Sequence, residues 1–130
     1  MVALSRARWP RAITLLALCA AYVQGGLVKL LDFHGAVEEV VHFGMPAPSV
    51  LAVATIITEL VGSLMVVSGI LRWAGALWLA AFTLVATWLA CRFWELPAGH
   101  ERFASANTFW EHIGLIGGFL FVAISDLKRQ

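Results

Sequence analysis

The sequence predicts an all-α integral membrane four-helix bundle, with a short amphipathic helix between spans 1 and 2. Of its 130 residues, 61% are hydrophobic, and the mean hydropathy of +0.85 is too high for an ordinary soluble domain. Four apolar runs are long enough to cross a bilayer at a rise of about 1.5 Å per residue. They cover approximately residues 10–31, 49–71, 73–94 and 109–125. Without a repeat or a break in composition, residues 1–130 are predicted to form a single transmembrane domain.

The first run follows three arginines, a pattern that also begins secretory signal peptides. They are Arg6, Arg8 and Arg11. The run continues beyond a typical signal core into Gln24 and Lys29, and Leu18 stands where a lipoprotein signal needs a small residue before Cys19. We therefore expect a retained first transmembrane helix.

The stretch from Leu30 to Pro48 is too short and too charged to span a membrane. Helical spacing puts its apolar side chains on one side and its charged or titratable ones on the other. The first set is Val37, Val40, Val41 and Phe43, and the second is Glu38, Glu39 and His42. The pattern predicts a surface-lying amphipathic helix that ends at Gly44, where Pro46 and Pro48 prevent its continuation. A plain loop is the alternative.

The second run carries one charge, Glu59. A carboxyl near the middle of a membrane costs roughly 2.5–3.5 kcal/mol, so we expect it to face other helices and to have a partner there. Small and polar residues share its helical face, which should therefore face protein. They are Thr55, Thr58, Gly62 and Ser63.

The third and fourth runs contain small residues that favour close helix packing. On the third run these are Ala76, Ala80, Thr83, Thr87 and Cys91, and Trp73 and Trp94 stand at its ends. Residues 95–108 are polar and are predicted to be a loop. The fourth run has a GxxxG spacing at Gly114 and Gly118, which predicts a close backbone contact.

The distribution of lysine and arginine predicts the orientation, because cytoplasmic flanks are enriched in these residues. The end of the bundle that holds both termini has six of them, and the opposite end has three. The six are Arg6, Arg8, Arg11, Arg72, Lys128 and Arg129, and the three are Lys29, Arg92 and Arg102. We expect both termini in the cytoplasm.

Counting depth along the four spans places a polar cluster in the outward-facing half of the bundle. Its members are Gln24, Lys29, Glu59, Arg92, Glu111 and His112. In one interpretation they only join helices: Glu59 hydrogen-bonds Gln24 or a threonine, and Lys29 and Arg92 extend outward. In the other they line a pocket for a small polar-headed molecule, such as a quinone or a sulfur compound, under the amphipathic helix.

Several other classes of site lack their sequence patterns. The spacings of His34, His42, His100 and His112 match no metal-ligand motif, and no histidine lies at mid-membrane depth to hold a haem. Cys19 and Cys91 should differ in depth by roughly 13 Å, which is too far for a disulfide. A net charge of +1 gives no basic face for nucleic acid. Nucleotide-binding and hydrolase motifs are also absent.

Four stretches in order resemble the DoxX family of small four-helix bacterial inner-membrane proteins. They are GGLVKLLDFHG from Gly25, FGMPAP from Phe43, ITELVGSLMVVSGIL from Ile57, and FTLVATWLACRFW together with WEHIGLIGGFLF. In this resemblance Lys29 and Glu59 match the characteristic charged positions, and the Arg92 region matches the polar end of the third helix. Relatives often carry a Lys-Asn pair where this chain has Glu111 and His112, so a shared role there does not follow.

The resemblance implies an accessory subunit in quinone- or sulfur-linked redox metabolism or in the oxidative-stress response, with redox proteins as partners. Some relatives resemble a subunit of thiosulfate:quinone oxidoreductase, and others are linked with thiol-handling partners. A quinone is then the candidate cofactor. Two alternatives stay open: a small proton-coupled transporter or exporter that uses Glu59, and a non-catalytic scaffold in the bilayer, with or without self-association. Whether the chain is an enzyme is left undecided by the sequence.

Overall fold

A computed structural model describes the backbone of residues 2–129 and the side chains of residues 9–129, and helices follow one another along this part of the chain. They are α1 (Val2–Leu31), α2 (Phe33–His42), α3 (Pro48–Ser68), α4 (Arg72–Ala90) and α5 (His100–Arg129), with a 3-10 turn at Phe93–Glu95. No strand occurs in this part of the chain. The all-α prediction and the short helix between the first two spans are confirmed. The side chains of Arg6 and Arg8 lie outside the described residues.

Four segments are long and apolar enough to cross a membrane, as predicted. They are Trp9–Leu31, Pro48–Ser68, Arg72–Glu95 and His100–Arg129. The loop predicted over residues 95–108 is wrong from His100 onward, where α5 already begins. Pro97 and Gly99 interrupt the chain before it, but residues 100–108 contain neither proline nor glycine and can continue a helix. Their polarity reflects an exposed first part of α5 and not an irregular backbone.

The helices pack in the order α1, α3, α4 and α5, and all four contribute to the core. Cys19 and Tyr22 of α1 meet Val66 of α3, Leu79 of α4 and Phe119 of α5 there. The Tyr22 and Phe119 rings meet edge to face with their centroids 5.3 Å apart. The N-terminal part of α1 and the C-terminal part of α5 thus lie at the same end of the bundle, which we call the terminal end. The opposite end, which carries α2, is the α2 end.

The predicted protein-facing sides of the second and third spans are confirmed. On α3 the residues Thr58, Glu59, Gly62 and Ser63 are buried, and Thr55 is half-buried. On α4 the small stripe is buried along its length, from Ala76 at 0% to Cys91 at 5% exposure. Cys19 and Cys91 are both buried free thiols.

Helix α2 begins at an N-cap and ends close to the predicted position. The Asp32 carboxylate accepts a hydrogen bond of 3.1 Å from the backbone N–H of Gly35, and Gly44 adopts a φ of +69° just after the helix. On the predicted apolar side Val37 and Val40 are half-buried, Val41 and Phe43 are exposed, and Ala36 is buried beside them.

Helices α3 and α4 approach each other closely at Gly62 and Gly75. A Cβ placed on Gly75 would be 2.7 Å from the Met65 Cβ and 3.0 Å from the carbonyl oxygen of Gly62. A Cβ placed on Gly114 would meet no atom of another helix within 4 Å, and one on Gly118 would meet only the Leu18 side chain. The close backbone contact predicted at Gly114 and Gly118 is therefore not formed within this chain.

We expect Gly75→Ala to lower the free energy of unfolding by about 1–3 kcal/mol, because the new methyl group would force α3 and α4 apart. Gly114→Ala is the matched control in open space, and it should be neutral or stabilising by up to about 1 kcal/mol, since alanine is the better helix former. Thermal unfolding in detergent measures both. A tolerated Gly75→Ala would contradict the close packing at this contact.

Candidate functional site

A cavity of about 570 Å³ lies near the α2 end, with walls from α1, α2, α3, α4 and α5. Most of its lining is apolar, including Leu51, Phe82, Leu89 and Leu115. α2 contributes Ala36, Glu39 and Val40, so the amphipathic helix forms part of the cavity wall. The size falls within the range of about 300–1,000 Å³ that is usual for small-molecule pockets.

An ion pair between α1 and α3 forms part of the cavity wall. The Lys29 Nζ donates a hydrogen bond of 2.8 Å to the Glu59 Oε1. The Glu59 side chain is only 7% exposed, whereas that of Lys29 is 21% exposed. One turn before the lysine, Gly25 leaves room for the carboxylate, because a Cβ there would lie 2.8 Å from the Glu59 Oε2. Gly25 and Lys29, one turn apart on α1, thus together accommodate the Glu59 carboxylate.

The partner of Glu59 differs from the one expected in the first interpretation of the cluster. That interpretation paired Glu59 with Gln24 or a threonine and extended Lys29 outward, and both parts are wrong. Gln24 is exposed and lines the cavity. The physical reason is charge, because an ammonium group offsets the desolvation of a buried carboxylate better than a neutral amide or hydroxyl does.

A chain of hydroxyl groups lies beside the ion pair. The Thr83 Oγ1 donates to the carbonyl oxygen of Leu79 at 2.7 Å, and the Tyr22 hydroxyl contacts the same Oγ1. Because a hydroxyl carries one hydrogen, Tyr22 must be the donor in its bond to Thr83. The Tyr22 oxygen keeps its lone pairs as acceptors, and both residues line the cavity.

Two donors in the wall remain available to a bound molecule. The Lys29 ammonium has three hydrogens, of which one is used in the bond to Glu59. The Thr58 side chain lines the cavity, is only 8% exposed, and has no hydrogen-bond partner among the described residues. This hydroxyl is therefore open to a hydrogen-bond partner inside the cavity.

His112 reaches the cavity from α5, and a hydrogen bond fixes its ring. Its Nδ1 lies 2.8 Å from the Thr87 Oγ1. The second ring nitrogen, Nε2, has no partner in the described part of the chain. The imidazole is thereby oriented by α4 and can offer one nitrogen to a bound molecule.

The structure brings together four of the six residues of the predicted cluster. Gln24, Lys29, Glu59 and His112 line the cavity. The other two do not line the cavity. The Arg92 guanidinium lies over the Trp88 ring, with its Nη1 3.3 Å from the Glu95 Oε2, and Glu111 is exposed on α5.

Sequence reasoning missed Tyr22 and Thr83 as cavity residues. A signal existed for Tyr22, the one tyrosine in the chain, because it stands seven residues before Lys29 and hence on the same helical face. Thr83 was recognised only as part of the small stripe of α4, and its spacing carries no sign of a hydroxyl partner on α1.

Four apolar helices around a buried ion pair and a largely apolar cavity define a small multi-pass membrane protein. The DoxX family model matches residues 12–92, and the chain belongs to the DoxX family. It is similar to inner membrane protein YphA of Escherichia coli (strain K12), with 23% identity over 113 residues that cover 87% of this chain and 80% of that protein. No solved structure matches the chain.

The matched region includes most of the cavity wall but not α5. Lys29 and Glu59 both lie inside it, and His112 lies outside it. Within the described residues, no group of three or more histidine, cysteine, aspartate or glutamate side chains is placed to hold a metal ion. The site itself is a largely apolar cavity with a few polar side chains in its wall.

Proposed function

We propose that this protein binds a quinone-like molecule, with an apolar body and a polar head, in the cavity beneath α2. In this role it serves as an accessory membrane subunit in quinone- or sulfur-linked redox metabolism. One observation carries the proposal: the remaining Lys29 hydrogens and the unpartnered Thr58 hydroxyl are donors in the wall of an otherwise apolar cavity. Quinone carbonyl oxygens are acceptors that suit such donors.

The chemistry of the lining supports a neutral, mainly apolar ligand. Leu51, Phe82 and Leu115 offer surface to a ring or a tail, and Lys29 and Glu59 already neutralise each other. An anionic ligand would have to break this ion pair or be desolvated without a counter-charge, which is expensive at this depth, and Glu39, which also lines the cavity, would repel it. The established pair thus serves as a fixed dipole that orients the polar head of the ligand.

We further propose that the protein lies in the bacterial inner membrane with both termini in the cytoplasm. The name of the Escherichia coli relative supports the membrane, and the excess of lysine and arginine at the terminal end supports the orientation. Redox partner proteins would then reach the cavity from the α2 end or laterally from the bilayer.

Proton-coupled export is the rival function, and it would require the Glu59 carboxyl to alternate between partners. Its fixed contact with Lys29 favours a positioning role instead. Proton-driven flux in proteoliposomes that disappears in Glu59→Gln would support export. Native mass spectrometry of gently extracted protein should instead reveal a copurified molecule of quinone mass.

Thr58→Val tests the pocket directly, because valine has a similar shape and lacks the hydroxyl. We expect the affinity for decylubiquinone to fall about fivefold, in line with the roughly 1 kcal/mol of one hydrogen bond. Thr108→Val is the matched control, since its hydroxyl bonds the Ala104 carbonyl outside the cavity. Quenching of tryptophan fluorescence in detergent gives both affinities. Equal affinities in the two variants would contradict the assignment of Thr58.

A further inference from the structure

A second groove, at the terminal end of the bundle, lies between α1 and α5 and has a volume of about 410 Å³. Three arginines line it, namely Arg11 on α1, Arg72 at the start of α4 and Arg129 at the end of α5. Leu18 and Phe121 provide apolar walls. We call this feature the basic groove, and it shares no lining residue with the cavity.

One carboxylate, Asp126, also lines the basic groove. Its Oδ2 accepts a hydrogen bond of 3.1 Å from the backbone N–H of Trp73, in the first turn of α4. Arg72 is engaged as well, because its Nε donates to the carbonyl oxygen of Val66 at 2.7 Å. Three guanidinium groups against one carboxylate leave an excess of two positive charges among the residues of the groove.

The apolar part of the groove runs from these charges into the membrane-spanning part of the bundle. Leu15 and Leu18 line it on α1, and Phe121 and Val122 line it on α5. Phe121 is 72% exposed, so its ring is accessible to a molecule that binds beside it. Gly118 leaves room for the Leu18 side chain across the groove, since a Cβ there would lie 3.2 Å from it.

We propose that the basic groove binds an anionic diacyl phospholipid such as phosphatidylglycerol. Its phosphate would accept hydrogen bonds from the guanidinium groups of Arg11 and Arg129, for which arginine has the matching planar geometry. An acyl chain would lie along Leu18 and Phe121. A free phosphate would leave that apolar surface unused, so the combination of charge and apolar wall selects a lipid. This inference is independent of the proposed quinone site.

Native mass spectrometry of the full chain in detergent tests the inference, with phosphatidylglycerol and phosphatidylcholine of matched acyl chains as probes. We expect phosphatidylglycerol to bind about tenfold more tightly than phosphatidylcholine. Arg11→Gln/Arg129→Gln should remove this preference, and Arg129→Gln alone, in the last turn of α5, should reduce it about threefold. Arg102→Gln, an exposed arginine at the α2 end, is the matched control and should leave the preference unchanged.

A further arm separates the lipid from its headgroup. Phe121→Ala should weaken phosphatidylglycerol and leave any binding of glycerol phosphate unchanged, because the ring contacts only the acyl chain. Equal binding of both lipids would overturn the inference. So would a loss of preference in Arg102→Gln as large as that in the double variant, or binding of glycerol phosphate as tight as that of the lipid.

Discussion

Lys29→Met is expected to lower the thermal unfolding midpoint by roughly 10 °C, because it leaves the Glu59 carboxylate buried without its cation. Removal of one partner from a buried ion pair costs about 3–5 kcal/mol, most of which is the desolvation of the charge that remains. Methionine keeps the length and the apolar stem of lysine, so packing against Gly25 changes little. The loss of stability therefore reports on the removed charge and not on a packing defect.

The reverse change should behave differently, because the two partners are not buried alike. Glu59→Leu leaves Lys29, whose side chain is 21% exposed and stands in the last turn of α1, where the free carbonyl groups of the helix end favour a cation. We expect stability equal to the parent or higher. The double variant Lys29→Met/Glu59→Leu should recover most of the stability lost in Lys29→Met, since an apolar pair carries no desolvation cost.

A double-mutant cycle from thermal unfolding in one detergent measures this asymmetry. Lys128→Met, at an exposed position near the end of α5, is the control for loss of a lysine charge as such. If Lys29→Met and Lys128→Met unfold at the same temperature, the ion pair contributes nothing to stability. If Glu59→Leu is the more damaging change, the carboxylate has a structural role beyond its bond to Lys29.

The fold was largely predictable because hydropathy and helix length are properties of each segment alone. The four spans and the short helix required no knowledge of contacts between segments. The error over residues 95–108 arose from treating polarity as a sign of a loop. A helix that extends beyond its apolar run is exposed there, and polar side chains are then expected on all its faces.

The site was only partly predictable, since depth along the membrane says nothing about the direction in which a side chain points. Glu111 and His112 have almost the same depth, yet helical phase separates them by about 100°. His112 shares its face with Leu115 and the fully buried Phe119, which the spacing of three and seven residues could have shown. Helix α4 ends at Ala90, so the helical spacing of the third span does not determine the direction of the Arg92 side chain.

The bond between Lys29 and Glu59 could not be read from the sequence, because it depends on how α1 and α3 are placed side by side. The sequence indicated only that the acid needed a partner. Gly25 is the local feature that determines the choice, since any side chain there would occupy the space of the carboxylate. The pattern consists of a buried acid on one helix and, on its neighbour, a glycine one turn from a lysine. It can be recognised only when both helices are considered together.

Ala86→Phe is expected to reduce the affinity for decylubiquinone by roughly ten- to hundredfold. Ala86 is half-buried and lines the cavity from α4, one turn beyond Thr83. A phenyl ring there would occupy the space proposed for the ligand and displace contacts worth about 1.5–3 kcal/mol. Because the cavity already has the volume to hold the ring, the protein should fold normally and lose little stability.

Ala81→Phe is the matched control, because Ala81 is exposed on the same helix and does not line the cavity. It should bind decylubiquinone like the parent, so that a loss confined to Ala86→Phe locates the ligand beneath α2. Fluorescence titration gives the affinities, and thermal unfolding without ligand verifies the fold of each variant. Undiminished affinity in a folded Ala86→Phe would place the ligand elsewhere or show that this class of molecule does not use the cavity. The Lys29–Glu59 pair would then only stabilise the packing of α1 against α3. Its effect on stability would remain, but its position beside an apolar cavity would have no functional consequence.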